Sequence, residues 1–150
     1  YKADYLEAYQ NRGNIYYKTG NHDNALNDFN RLLTLKPEFT KGYISRGTVY
    51  ADKNRYSDAL TDFNKAIEID PRSIEAFNGR GAVYGLMNEY DRAIDDFTEA
   101  ISLDETSIQS YYNRAFTYMK KGDFKEARKD VEKLAKLGYK VDKSVFKGIY

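Results

Sequence analysis

The chain repeats itself every 34 residues, and no other feature constrains its fold as strongly. Tyr9, Tyr43, Phe77 and Tyr111 stand at equal spacing, as do Gly13, Gly47, Gly81 and Ala115, and then Tyr16, Tyr50, Tyr84 and Tyr118. Ala25, Ala59, Ala93 and Ala127 follow in phase, then Phe29, Phe63, Phe97 and Val131. A fixed period of this length is the signature of a repeat architecture, in which each unit buries its apolar face against its neighbours rather than in one globular core. Within each unit the apolar residues recur at three and four, which is helical periodicity and excludes alternating strands. Tyr9, Gly13 and Tyr16 make one stripe and Ala25, Phe29 and Leu32 the next.

The breaks between stripes carry Gly20, Asn54, Asn88 and Gly122 in one phase. Gly and Asn most readily take the left-handed conformation that ends a helix. Pro37 and Pro71 close the second stripes of the first two units, because proline cannot continue a helix. Glu105 and Tyr139 hold that phase in the last two units. Ser73 and Ser107 are placed to cap the helices that follow, and Asp4 with Glu7 reads as a capping box for the first. First helices are therefore expected near 6–19, 40–53, 74–87 and 108–121, and second helices near 23–36, 57–70, 91–104 and 125–137. The small residues at Gly13, Gly47, Gly81 and Ala115 are expected to face Ala25, Ala59, Ala93 and Ala127, letting the two helices of a pair approach closely. After Gly138, Asp142 is a good cap, and Val145, Phe146 and Ile149 share a helical face; a short helix over 142–149 is expected to cover the open end of the last pair.

This pattern of aromatic, small residue, Tyr, Ala, Phe and Pro over 34 residues resembles the tetratricopeptide repeat, in four tandem copies covering nearly the whole chain. The resemblance implies an all-α right-handed superhelical solenoid: a single domain over 1–150 with repeats at about 5–38, 39–72, 73–106 and 107–140. It also implies a non-catalytic scaffold or adaptor that binds a protein or peptide in a concave groove lined by the first helices. The phases facing that groove are Gln10, Asn11, Asn14 and Tyr17 on the first helix and Lys41, Ile44 and Thr48 on the second. Asn78, Ala82 and Leu86 follow on the third, and Tyr112, Asn113, Phe116 and Met119 on the fourth. Gly79, Ala82 and Gly85 are expected to hollow the middle of the groove in front of a stripe formed by Tyr112, Phe116 and Met119. Two other roles remain open: a self-assembling module using exposed repeat ends, and an accessory module of a larger enzyme or transport assembly.

One subgroup of the family grips acidic tails of heat-shock chaperones with a carboxylate clamp of Lys and Asn, then Asn, then Lys and Arg. Here those positions hold Gln10 and Asn14, then Ser45, then Glu75 and Gly79, so only Asn14 fits. Starting one repeat later gives Ile44, Thr48, Gly79, Gln109 and Asn113, none of which fits.

Arg12, Arg46, Arg80 and Arg114 recur where the family usually has Leu, and Asp28, Asp62, Asp96 and Asp130 recur with them. Equal rows of opposite charge predict structural ion pairs rather than an anion-binding arginine row. Lys+Arg is 24 against 23 Asp+Glu, which argues against nucleic acid as a partner, and the fifteen tyrosines fall mostly in core phases. His22 sits in the phase of Tyr56, Tyr90 and Phe124 and reads as a stand-in for an aromatic. With one His and no Cys there is no thiol nucleophile and no conventional multi-histidine metal site, and no cofactor or enzymatic activity is expected. No apolar run reaches membrane-spanning length. The chain starts at Tyr1, consistent with processing or with a piece of a longer chain. The sequence is therefore read as soluble, in the cytoplasm or, after removal of a signal peptide, exported.

Overall fold

The computed structural model describes residues 2–142 and 144–149, with side chains from residue 5 onward. Among these residues there are eight helices and no strand: α1 (Lys2–Lys18), α2 (His22–Leu35), α3 (Thr40–Asp52), α4 (Tyr56–Ile69), α5 (Ile74–Leu86), α6 (Tyr90–Leu103), α7 (Ile108–Lys121) and α8 (Phe124–Lys136). This is the all-α helix-repeat class expected, and most boundaries fall within a residue of the periodicity. The turns between paired helices use Gly20, Asn54, Asn88 and Gly122 at φ of +77°, +57°, +61° and +93°, the left-handed conformation that Gly and Asn tolerate. Tyr56 and Tyr90 each donate their hydroxyl to the turn asparagine two residues before, at 2.9 and 2.7 Å. His22, in the same phase, stacks on Tyr17 with ring centroids 5.8 Å apart, as befits a substitute aromatic. Ser73 and Ser107 cap as expected, their hydroxyls accepting from the backbone N–H of Ala76 and Ser110.

α1 departs from the expectation. It begins at Lys2, so Asp4 lies inside the helix and cannot be its N-cap; its side chain is outside the described ones. The position that holds Pro37 and Pro71 in later repeats is Ala3 here, and nothing in alanine stops a helix.

The chain divides into two compact units, Tyr1–Gly79 and Arg80–Tyr150, with the division falling within α5. In the first unit α1 packs on α2, α2 on α3 and α3 on α4, and α1 also touches α3. Ala25, Leu26, Phe29, Leu32 and Val49 form its buried centre, with Tyr9, Tyr16 and Tyr50 packed around it. In the second unit α7 packs on both α6 and α8. Ala115, Ala127 and Val131 form a cluster there with Phe146 and Ile149. The C-terminal segment thus covers α7 and α8, but not as the expected helix: residues 144–148 are a run of turns. Asp142 caps Ser144 two residues on, Gly148 takes φ of +98°, and a helix this short does not recover its nucleation cost.

In the first three helix pairs the close approach involves the large aromatic of the second helix. The backbones at Gly13, Gly47 and Gly81 are met by the rings of Phe29, Phe63 and Phe97, joined at Gly47 by the Asp62 Cβ. The large aromatic of the second helix lies against the glycine of the first.

Each repeat also carries an ion pair built on a buried aspartate. Arg12, Arg46, Arg80 and Arg114 donate Nε and Nη2 to the two carboxylate oxygens of Asp28, Asp62, Asp96 and Asp130, at 2.6–2.9 Å. Each partner lies sixteen residues on, in the same repeat. All four aspartates are buried. The Arg46 guanidinium lies near the rings of Tyr43 and Tyr50, and that of Arg114 near Tyr111 and Tyr118. Hydrogen bonding to Asp62 holds the Arg46 guanidinium even more firmly protonated than usual.

Two glycines on α5 make opposite predictions for one substitution. A Cβ at Gly79 would sit 2.3 Å from the Phe63 ring, whereas one at Gly85 would meet nothing within 4 Å. Gly79→Ala should destabilise the protein by about 1–3 kcal/mol through overpacking. Gly85→Ala should stabilise it by about 0.5–1 kcal/mol, through helix propensity alone. Urea denaturation of the two variants checks the signs; equal signs would contradict the assigned seat of Phe63.

Candidate functional site

The first-helix faces carry open spaces in each unit. In the first unit one cavity of about 370 Å³ is lined by Gln10, Asn14, Lys41, Ile44 and Ser45, with Asp70 and Glu75 at its edge. Another of about 250 Å³ adjoins Asn14, Tyr17, Lys18, Ile44 and Thr48 and reaches Phe29. The amides here are already engaged. Gln10 Nε2 donates to Asn14 Oδ1 at 3.1 Å and to Ser45 Oγ at 2.9 Å, while Gln10 Oε1 is buried with no hydrogen-bond partner. The Tyr17 hydroxyl donates to Asp52 Oδ2 at 2.7 Å, and the Thr48 hydroxyl to the Ile44 carbonyl at 2.8 Å. The Gln10–Ser45 and Tyr17–Asp52 bonds tie α1 to α3, so the face is a braced wall. Asn11 is exposed beside it, and Asn78, half-buried on α5, lies outside the lining of both spaces.

In the second unit a cavity of about 510 Å³ opens between Ala82, Gly85 and Leu86 of α5 and Asn113, Phe116, Thr117 and Lys120 of α7. Phe97 of α6 forms its floor, and Asn88 and Tyr90 its edge. Leu86 and Phe116 are exposed, at 57% and 40%. Lys120 Nζ lies 5.3 Å from the centre of the Phe116 ring, and Asn113 Oδ1 accepts from Gln109 Nε2 at 2.8 Å. The space is therefore apolar at its base and polar at its rim, the usual character of a peptide- or side-chain-binding pocket.

The structure separates the α7 stripe expected from the sequence. Phe116 and Asn113 face the cavity, but Tyr112 and Met119 pack against the C-terminal segment. Tyr112 meets Phe146 and Tyr139 edge-on, with centroids 5.4 and 6.2 Å apart. At about 100° per residue, Phe116, Lys120, Asn113 and Thr117 span an arc of about 100°, while Tyr112 and Met119 lie about 40–60° beyond Phe116 on the far side. Gly79 likewise does not hollow the groove, because the Phe63 ring occupies the room its missing side chain leaves. Only Ala82 and Gly85 open space. Thr117, Asn88, Tyr90 and Phe97 were not among the expected lining residues. Thr117 shares the phase of the core residue Val49, which marked it for packing; its place four residues from Asn113 was the signal for the other face.

Partial burial and the hydrogen bond to Asp52 push the Tyr17 hydroxyl up to about 12. A raised folded-state pKa favours the neutral form, so the stability this contact contributes is present in full below the ordinary tyrosine value and is lost as pH rises through about 12. A spectrophotometric titration of wild type minus Tyr17→Phe should therefore show one phenol ionising near pH 12; a difference centred near 10 would mean that the α1–α3 bond does not form.

Sequence profiles described as tetratricopeptide repeat match residues 6–39, 74–107 and 108–139, and one described as TPR repeat matches 47–88. A search of curated proteins finds no match. Among solved structures, a tetratricopeptide repeat protein from Parabacteroides merdae ATCC 43184 is 28% identical with a TM-score of 0.80, covering 94% of this chain and 55% of that one. The pilF protein of Pseudomonas aeruginosa superposes with a TM-score of 0.87 at 19% identity, over 99% of this chain and 67% of that one. The first TPR of Spaghetti (RPAP3) bound to the HSP90 peptide SRMEEVD gives 0.74 at 18% identity, over 79% and 94%. The matches indicate no catalytic family, and among the described residues no helix is long and apolar enough to cross a membrane. With sequence profiles matching over most of its length, three of them in the 34-residue phase, and helix pairs of the matching kind, the chain belongs to the tetratricopeptide repeat family, whose members generally mediate protein–protein interaction.

Proposed function

We propose that this protein is a non-catalytic interaction module that takes a peptide or helix of a partner along its first-helix face, anchored in the cavity between α5 and α7. The observation that carries this reading is the cavity itself. Leu86 and Phe116 are large apolar side chains left exposed around a space that Gly85 and Ala82 leave open. Interfaces draw most of their energy from a few such anchors, with polar contacts around them excluding water. The Asn113 amide N–H groups have no described hydrogen bond and stand at the rim, suited to a backbone carbonyl of an inserted segment. In the first unit the braced Gln10–Asn14–Ser45 wall, with Lys41, offers a polar face of its own.

A displayed library of random twelve-residue peptides, selected on the full chain, tests this reading. Selected peptides should carry a bulky apolar residue, and binding measured by calorimetry should fall at least tenfold, about 1.4 kcal/mol, for the double variant Leu86→Ala with Phe116→Ala. Both residues are exposed, so helicity should persist. Unchanged binding by the folded double variant would move the site elsewhere.

The peptide SRMEEVD should bind poorly. A clamp needs cations, whereas the first-unit cavity has Asp70 and Glu75 against Lys41. No saturation is expected by ~1 mM, which corresponds to less than about 4 kcal/mol of binding. Micromolar affinity abolished by Asn14→Ala would show that the wall acts as a clamp after all.

A further inference from the structure

The outer faces of the second helices vary between repeats, and two of them are complementary in charge. On α8 the buried residues Ala127, Asp130, Val131 and Leu134 define the inner side. At about 100° per residue, Lys125, Lys129, Lys133 and Lys136 share an arc of about 80° on the opposite side. Lys125, Lys129 and Lys136 are exposed and Lys133 is half-buried. Moving back 34 residues, the same positions on α6 are Asp91, Asp95, Glu99 and Ser102, all exposed. Arg92 of α6 likewise becomes Glu126 on α8. Every charged residue on the outer side of α6 thus has the opposite charge at its place on α8. The stripe is mixed on the other two, with Asp23, Asn27, Arg31 and Thr34 on α2 and Ser57, Thr61, Lys65 and Glu68 on α4.

These stripes are open whether or not another repeat follows. α2 and α6 are each packed against the first helix of the next repeat, α3 and α7, and their outer stripes stay exposed. Thr98, which meets Arg114 of α7, lies beside the α6 stripe and not in it. Thr98 and Ile101 of α6 meet Arg114 and Tyr111 of α7, and Asp130 and Leu134 of α8 meet the same two residues. α6 and α8 therefore both run against α7 and parallel to each other. Within the chain their complementary charges do not meet. Asp91 is held by Lys121 at 2.8 Å, and Lys129 by Glu126 of its own helix at 2.8 Å. Lys133 lies 5.7 Å from the centre of the Tyr111 ring. Asp95, Glu99, Lys125, Lys133 and Lys136 make no ion pair among the described residues.

We propose that the outer faces of α6 and α8 form a self-association surface for a second copy of this chain, distinct from the cavity between α5 and α7. Two parallel helices of opposite charge are self-complementary about a two-fold axis running along them. α6 of one copy then lies on α8 of the other, and the reverse. Such an axis preserves height along the helices, so a residue of α6 meets the one that stands a full repeat later in the second copy. Asp91, Asp95 and Glu99 face Lys125, Lys129 and Lys133, and each pairing is made twice. A two-fold axis across the helices instead sets α6 against α6 and α8 against α8, with like charges opposed. An acidic peptide or an anionic membrane would engage α8 but be repelled by α6, so neither uses both stripes. Exposed ion pairs are individually weak and are screened by salt, so the dimer depends on the whole set and is favoured at low ionic strength.

Sedimentation equilibrium of the full chain tests this. A dimer is expected in ~20 mM sodium chloride, and its dissociation constant should rise at least tenfold in ~500 mM, as the Debye length falls from roughly 20 Å to about 4 Å. The double variant Lys129→Glu with Lys133→Glu turns the α8 stripe largely acidic, and Asp95→Lys with Glu99→Lys turns the α6 stripe largely basic. Each should be monomeric alone, and an equimolar mixture should form a one-to-one heterodimer at low salt. Circular dichroism should match wild type for both, and if either double variant unfolds, the single changes Lys129→Glu and Asp95→Lys are read in the same way. Wild type still monomeric at ~1 mM chain in low salt, the weak end of measurable affinity, overturns the proposal. So does a wild-type dimer that either variant retains alone, or whose loss in both is not restored by mixing them, since the contact then lies on another surface.

Discussion

The buried aspartate of the second helix is the constraint on which the repeat depends. Asp28, Asp62, Asp96 and Asp130 are nearly out of contact with water, and a carboxylate there is tolerable only if its oxygens are fully engaged. A guanidinium satisfies both oxygens at once with a planar fork, which a lysine cannot do. The pair fixes the first helix against the second in both rotation and height. At Arg46 and Arg114 the remaining nitrogen reaches back to Asn30 and Thr98, so one guanidinium sets the geometry within a repeat and the register to the repeat before it. The desolvation cost offsets most of the Coulombic gain, so the pairs contribute chiefly to the uniqueness of the packing. The favourable free energy comes from the aromatic residues around them.

Those aromatics also decide where the surface is full and where it is open. The Phe29, Phe63 and Phe97 rings press on glycine backbones of the first helices, and Phe63 additionally fills the place beside Gly79. Where no ring arrives, as at Gly85, space remains, and it becomes part of the cavity floored by Phe97. The candidate site is thus what core packing leaves over between α5 and α7. Its lining is drawn from two first helices, a second helix and a turn, not from first helices alone.

Helix existence and ends were legible because the signals are local. Period, turn glycine or asparagine, capping serine and terminating proline all lie within a few residues of the feature they fix. The misreadings concern features decided by atoms distant in sequence. Gly79 and Gly85 look alike on one helix, and only the reach of Phe63, sixteen residues earlier, makes the first a seat and the second an opening. Tyr112 and Met119 share an apolar stripe with Phe116, but Phe146 and Tyr139 claim one edge of it. The segment after Gly138 showed the right apolar residues for covering α7 and α8, yet its form was set by Gly148 and by its shortness. The site residues Asn11 and Asn113 were placed by phase alone, whereas the bonds that occupy Gln10 and Asn14 depended on which side chain on α3 stood opposite.

A repeat protein supplies an internal standard that a globular domain lacks. In most proteins an exposed isoleucine is unremarked, since apolar atoms make up more than half of a typical surface. Here Ile15 can be set beside Val49 and Thr117, which occupy the same position and are buried. The last second helix can be compared in the same way. On α8 the phases of Leu26, Asn30 and Leu33 are held by Arg128, Glu132 and Ala135, all exposed, with Arg128 bonded to the Ile149 carbonyl, while Phe146 and Ile149 pack on a different face, at Ala127 and Val131.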